Sequence, residues 1–138
     1  MPDRLPSMSR ITPHNPKAIF PPYAGYAHAV EVPPGARTLY ISGLNGFGAD
    51  GRSMPPDFGG QARLVWKHLK TALAAADMTY ADLVQLRFYL TSADDDAANV
   101  ALIREHLGSH VACRTVVVQQ LLDPKWRIEV EAVAAKVS

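Results

Sequence analysis

The run G-Q-A-R-L-V-W-K-H-L-K-T-A-L-A-A-A-D-M-T-Y-A-D-L-V-Q-L-R-F-Y-L, from Gly60 to Leu90, changes its period part-way, and that change sets the fold class. From Gly60 to Asp77 the apolar residues Val65, Leu69, Ala72, Leu73 and Ala76 recur at helical spacing, with Lys67 and Lys70 on the opposite side. This predicts an amphipathic helix, with Asp57 to Gly60 supplying its entry. Leu83 to Leu90 is rich in Val, Leu, Phe and Tyr and too short for a globular helix, so it reads as a strand introduced by Asp82. Downstream, Asp94, Asp95 and Asp96 place negative charge at the start of a second helix, Val100, Ile103 and Leu107 form its apolar stripe, and Gly108 suits its C-cap. Val111 to Leu122 and Trp126 to Val137 predict a last strand pair joined through Asp123-Pro124-Lys125. Upstream, Tyr26 to Val32 and Thr38 to Gly43 are short apolar runs meeting across Pro33-Pro34-Gly35, the pattern of two strands and a tight turn. The order strand, strand, helix, strand, helix, strand, strand predicts an α+β fold with a mixed sheet and both helices on one face. Strands this apolar would leave the second face costly to expose, so a homo-oligomer packing sheet against sheet is expected.

The chain has 138 residues, 14 Lys+Arg against 13 Asp+Glu, and one cysteine. That length fits one domain, read as residues 18–138, behind an extended N-terminal tail at 1–17 that has few apolar residues and no periodicity. Ten of the 11 prolines fall at or before Pro56, which confines loops and hairpins to the early part. The glycines and prolines between Asn45 and Gly60 predict a long, mobile connection where a site entrance could form. A net charge of +1 gives no basic surface for nucleic acid. A lone Cys113 cannot form an internal disulfide, no apolar run approaches a membrane span, and Met1 to Arg10 lacks the apolar core of a signal peptide. A cytoplasmic protein with no membrane and no nucleic-acid partner is the expectation.

Arg114 interrupts the otherwise uncharged run V-A-C-R-T-V-V-V, Val111 to Val118. A guanidinium there must either pair with a carboxylate, at a strand end or subunit interface, or reach a cavity, because burying it alone is costly. Glu129 and Glu131 share one face of the closing strand, either as a solvated face or as Arg114's partner and a proton-transfer group. The five histidines show no H-E-x-x-H spacing, and the one pair four apart, His106 and His110, straddles the Gly108 break, so no metal site is expected, and His68 and His106 read as solvated helix residues. G-L-N-G-F-G-A-D-G from Gly43 lacks a G-K-[ST] ending and reads as a flexible pocket rim rather than a phosphate loop. Trp66 and Trp126 read as packing residues, and Cys113 as a buried, inert thiol.

Y-I-S-G-L-N from Tyr40, G-G-Q-A-R-L-V-W-K-H-L-K-T-A-L from Gly59, D-L-V-Q-L-R-F-Y-L from Asp82, A-A-N-V-A from Ala97, C-R-T-V-V-V from Cys113 and R-I-E-V-E-A-V-A from Arg127 together resemble, in order and spacing, the Rid (YjgF-like) family of reactive intermediate deaminases. The resemblance covers roughly residues 19–137. It implies a chorismate-mutase-like α+β layer assembled as a homotrimer, with clefts between subunits. It also implies that Arg114 binds the substrate carboxylate and Glu129 holds a water, as the catalytic pair. Tyr23 in P-P-Y-A-G, Ser42, Gly43 and Asn99 match positions that line the family's substrate pocket. This chain departs from the family around the arginine, reading H-V-A-C-R-T where F-P-A-R-S is common, and Val116 stands where many members carry a cysteine. Leu44-Asn45-Gly46 likewise replaces the more usual Q-I/V-P.

The activity so implied is metal-free and cofactor-free hydrolysis of enamine and imine intermediates, 2-imino acids, to 2-keto acids and ammonia. A planar carboxylate suits the bidentate grip of a guanidinium. The alternatives are a noncatalytic trimer that binds small carboxylates in a regulatory role, and a ribonuclease or translation inhibitor, against which the neutral charge balance argues.

Overall fold

The computed structural model describes residues 10–138. Six strands and two helices follow one another as β1 (Thr12–His14), β2 (Ala29–Glu31), β3 (Arg37–Asn45), α1 (Phe58–Ala74), β4 (Leu83–Leu90), α2 (Asp96–Leu107), β5 (Cys113–Val118) and β6 (Ile128–Lys136). The main sheet has the order β3-β6-β4-β5, with β6 antiparallel to both neighbours and β5 parallel to β4, so the sheet is mixed as expected.

Two pairings differ from the expectation. β2 does not form a hairpin with β3; it pairs with β1 in a separate two-stranded sheet, where His14 Nε2 and Glu31 Oε1 lie 2.9 Å apart. Residues 10–17, expected to be tail, therefore contain a strand, and the rest of the expected tail lies outside the described residues. β5 and β6 are not partners either, because β4 lies between them. Parallel pairing of β5 with β4 needs a crossover, which α2 supplies, and it leaves the long β6 to bridge β3 and β4.

α1 starts where Asp57 accepts a hydrogen bond from the Gly60 N–H at 2.9 Å, and it ends through Asp77, whose φ of 59° reverses the chain so that Met78 N–H reaches Leu73 O. Its buried face, including Val65, Trp66, Leu69 and Leu73, covers one side of the sheet against Leu86, Phe88 and Leu90 of β4 and Ile128 and Val130 of β6, with Leu102 and Ile103 of α2 completing the core. Each fully buried Leu, Ile or Phe contributes about 1.5–3 kcal/mol.

His106 is not a solvated helix residue. Its ring stacks on Trp66 with centroids 4.6 Å apart and planes 3° from parallel, and its Nδ1 donates to Leu102 O. His68 likewise donates from Nε2 to Phe47 O. That bond helps anchor the connection expected to be mobile. Asp50 Oδ1 accepts from the N–H groups of Arg52 and Ser53, holding the Asp50 carboxyl below its ordinary pKa, and the buried Gln61 donates to Pro55 O. Cys113 is half-buried rather than fully buried, and burial pushes its thiol pKa up.

The second sheet face is uncovered within one chain, and it is less apolar than its strands suggested. Alternation places Tyr40 on β3, Arg87 and Tyr89 on β4, Thr115 and Val117 on β5, and Glu129 and Glu131 on β6 toward it. Tyr89 donates its hydroxyl to Glu131, which raises the Tyr89 pKa.

Candidate active site

Arg114 stands opposite Leu86 in the β4–β5 register, so it faces the helix side of the sheet, at the edge where the core ends. Ala27 bridges to Cys113 beside it, and Ala27 N–H donates to Ala112 O at 3.0 Å, so the segment leading into β2 runs along β5. Just before that bridge, Ala24 and Gly25 both take the left-handed conformation, with φ of 62° and 80°. Left-handed backbone is strained for Ala and free for Gly, and here it turns the carbonyls of the segment toward the sheet edge. Arg114 Nη2 donates to Ala24 O at 2.6 Å and to Tyr23 O at 3.4 Å, and the guanidinium carbon lies 5.4 Å from the centre of the Tyr26 ring. His28 fixes the same segment from behind, donating from Nε2 to Phe20 O while its own N–H donates to Asn15 Oδ1.

Among the described residues Arg114 forms no ion pair, and neither its Nε nor its Nη1 makes a hydrogen bond. It lines a cavity of about 290 Å³ with Tyr23, Ala24, Tyr26, Asp96, Val100 and Val116. Burial pulls its pKa below the ordinary value, the charges of Asp96 and Tyr26 raise it again, and Arg104 lowers it further. A guanidinium stays charged under such shifts. Of the two readings of this residue, the structure takes the cavity and not an ion pair among the described residues.

Glu129 is elsewhere. It pairs in register with Tyr89 and so lies on the opposite face of the sheet from Arg114. There it joins Ser42 and Gly43, which sit at a bulge in β3 where the register slips between Ile41 and Leu44. A side chain at Gly43 would collide with the Glu129 carboxylate, and Asn45 Nδ2 donates to Glu129 Oε1 at 3.4 Å. The site residues matched by resemblance thus fall into two half-sites in one chain: Arg114 with Tyr23 on the helix side, and Glu129 with Ser42 and Gly43 on the uncovered side. Glu131 is not Arg114's partner, for the same reason of face.

Asn99 does not line the Arg114 cavity. It is 0% exposed, and neither polar atom of its side chain finds a partner among the described residues. Helical spacing explains the difference: Asp96 and Val100, four apart, face the cavity, and Arg104 continues their row into an adjoining recess with Asp94 and Ala97, while Asn99, Leu102 and Ile103 turn inward. Val100, expected in the buried stripe, is therefore a wall of the site. The segment from Gly43 to Gly51, expected to rim the pocket, contributes Gly43 and Asn45 to the Glu129 half-site and nothing to the Arg114 cavity. The sequence reading missed Asp96, Tyr26 and the carbonyl of Ala24. The Asp96–Val100 spacing was visible, but the backbone clamp depends on a φ value that no residue type announces.

Among the described residues no helix is long and apolar enough to cross a membrane. Among curated proteins none matches the chain. Solved structures do. The chain is similar to a Rid-family protein of unknown function, YyfB from Yersinia pestis, at 34% identity and a TM-score of 0.80, covering 91% of this chain and 98% of that one. It is also similar to RidA from the Antarctic bacterium Psychrobacter sp., at 28% identity and a TM-score of 0.67 over 79% and 86% of the two chains. A putative endoribonuclease from Thermotoga maritima matches at 26% identity and a TM-score of 0.68, over 90% and 93%. The family model described as endoribonuclease L-PSP matches residues 16–136. With a family model matching residues 16–136 and a Rid-family structure 34% identical over 91% of its length, the chain belongs to the endoribonuclease L-PSP, or Rid (YjgF-like), family.

Proposed function

We propose that this protein hydrolyses reactive imine and enamine intermediates, 2-imino acids above all, to 2-keto acids and ammonia. The observation that carries the reading is Arg114, a guanidinium paired with no carboxylate among the described residues, clamped by two backbone carbonyls and laid against Tyr26 at a small cavity. A charge-assisted bond from an N–H group of Arg114 that has no partner among the described residues suits a carboxylate and helps fix the adjoining imine carbon in place. Water held by Glu129 then adds to the carbon of the protonated imine, forming the C–O bond while Glu129 takes a water proton. That proton passes to nitrogen, the C–N bond breaks, ammonia leaves, and loss of the hydroxyl proton gives the keto acid. An enamine tautomerises to the imine first. Protonation already activates the electrophile, so no step is routed through a metal or cofactor.

In this proposal the assembly is a homotrimer, and Glu129, Ser42 and Gly43 of one copy complete the cavity that Arg114 and Tyr23 of another begin. The placement of the two half-sites on opposite sheet faces supports it, since one chain alone cannot bring them together.

The test is keto-acid release from 2-imino acids generated in place by an amino-acid oxidase. The native chain should accelerate release, and Arg114→Ala should abolish the acceleration without changing the size of the assembly. Glu129→Gln should lower turnover about 100-fold or more with a smaller effect on carboxylate binding. Carboxylate binding with no acceleration across small, aliphatic and aromatic imino acids would instead favour a noncatalytic binder. RNA binding with a steep salt dependence would favour the ribonuclease that the family's description names.

A further inference from the structure

The hydrolysis as proposed leaves one charged wall of the Arg114 cavity unused. Asp96 is the first residue of α2 and lines the cavity with Val100, one turn on, while Arg114 and Val116 form the wall from the sheet. The two opposite charges do not meet. No Asp96–Arg114 ion pair forms, and the Asp96 side chain makes no hydrogen bond among the described residues, so both charged residues line the open cavity without touching. Yet Asp96 is felt at Arg114, where its attraction opposes the effect of burial. The volume of about 290 Å³ sits at the lower end of small-ligand pockets.

A small cavity with a clamped cation on one wall and an anion on another is matched to a zwitterion more closely than to a simple anion. The protonated 2-imino acid is such a species, carrying its carboxylate one bond from a C=NH2+ group. The 2-keto acid product keeps the carboxylate and has lost the cation. We infer that Asp96 receives the protonated imine nitrogen while Arg114 holds the carboxylate, so that the cavity selects small zwitterionic 2-iminium acids over 2-keto-acid anions. The inference rests on the deaminase reading of this same cavity and adds to it a binding residue and a direction of preference. Holding the nitrogen protonated keeps the carbon electrophilic until water adds. Once ammonia has left, the product faces an uncompensated carboxylate, which speeds its departure.

An acidic residue in the first turn also stabilises its helix. The experiment must separate that role from recognition, and equilibrium binding of two stable probes with the same carbon skeleton does so: alanine, a zwitterion, and pyruvate, an anion. By calorimetry the native chain should bind alanine more tightly than pyruvate. Asp96→Asn should weaken alanine about tenfold or more and leave pyruvate unchanged or tighter. Asp96→Glu should restore part of the preference, and Arg114→Ala should weaken both probes. A merely structural Asp96 would shift both probes together. Equal shifts, or none, in Asp96→Asn would overturn the inference while leaving the carboxylate anchor standing. If Arg114→Ala leaves both probes bound, or the native chain binds neither at millimolar concentration, the deaminase reading fails first and this inference falls with it.

Discussion

Arg114 owes its position to a backbone feature far away in the chain. Its own strand supplies only the cation; Ala24 and Gly25 supply the left-handed turn that aims two carbonyls at it. A charged residue in an apolar strand was legible from the sequence as needing either a partner or a cavity. The carbonyl clamp was not, because it arises where two segments distant in sequence meet. Gly43 makes a comparable case at the other half-site. A methyl group there must displace the Glu129 carboxylate, which is the far end of a flexible side chain and so can move at small cost to the fold. Gly43→Ala should therefore lower keto-acid release about tenfold or more while shifting the urea midpoint little. A large loss of stability with activity per folded molecule retained would show that Gly43 serves the bulge and not the glutamate.

α1 and β4 are encoded by the local period of their own sequence, and both were legible. Strand partnership was not, since nothing inside β6 says that it will lie between β3 and β4, and a short Pro-Pro-Gly turn reads as a hairpin whether or not its flanks pair. The bracket that joins these elements is Gln61, buried in α1. It donates to Pro55 O at 2.9 Å and Lys125 O at 3.0 Å, and accepts from Arg127 N–H at 2.8 Å. One amide thereby ties the loop before α1 to the start of β6. In the sequence Gln61 looked like any polar residue on a helix. Gln61→Ala should cost about 2–4 kcal/mol in urea unfolding, because it leaves three part-buried backbone groups without their partner. Gln61→Leu, which refills volume without restoring the bonds, should rescue little. A rescue by Leu would mean that packing alone matters at this position.

At the scale of the whole molecule, the sequence foretold an uncovered sheet face but misjudged its character. Counting apolar residues along a strand does not distinguish the face that α1 covers from the face that carries Arg87, Tyr89, Glu129 and Glu131. The separation of Arg114 and Glu129 by the thickness of the sheet has a genetic consequence. If each site draws its arginine from one copy and its glutamate from the next, Arg114→Ala and Glu129→Gln are lesions in different halves of a shared unit, and two dead alleles can complement. Subunits of the two variants, unfolded together and refolded as a mixture, should regain about a quarter of the native sites, since every mixed ring of three contains one intact pairing. The same variants refolded separately and then combined should stay inactive until their subunits exchange. A heterozygous cell could thus carry two null copies and still turn over its substrate.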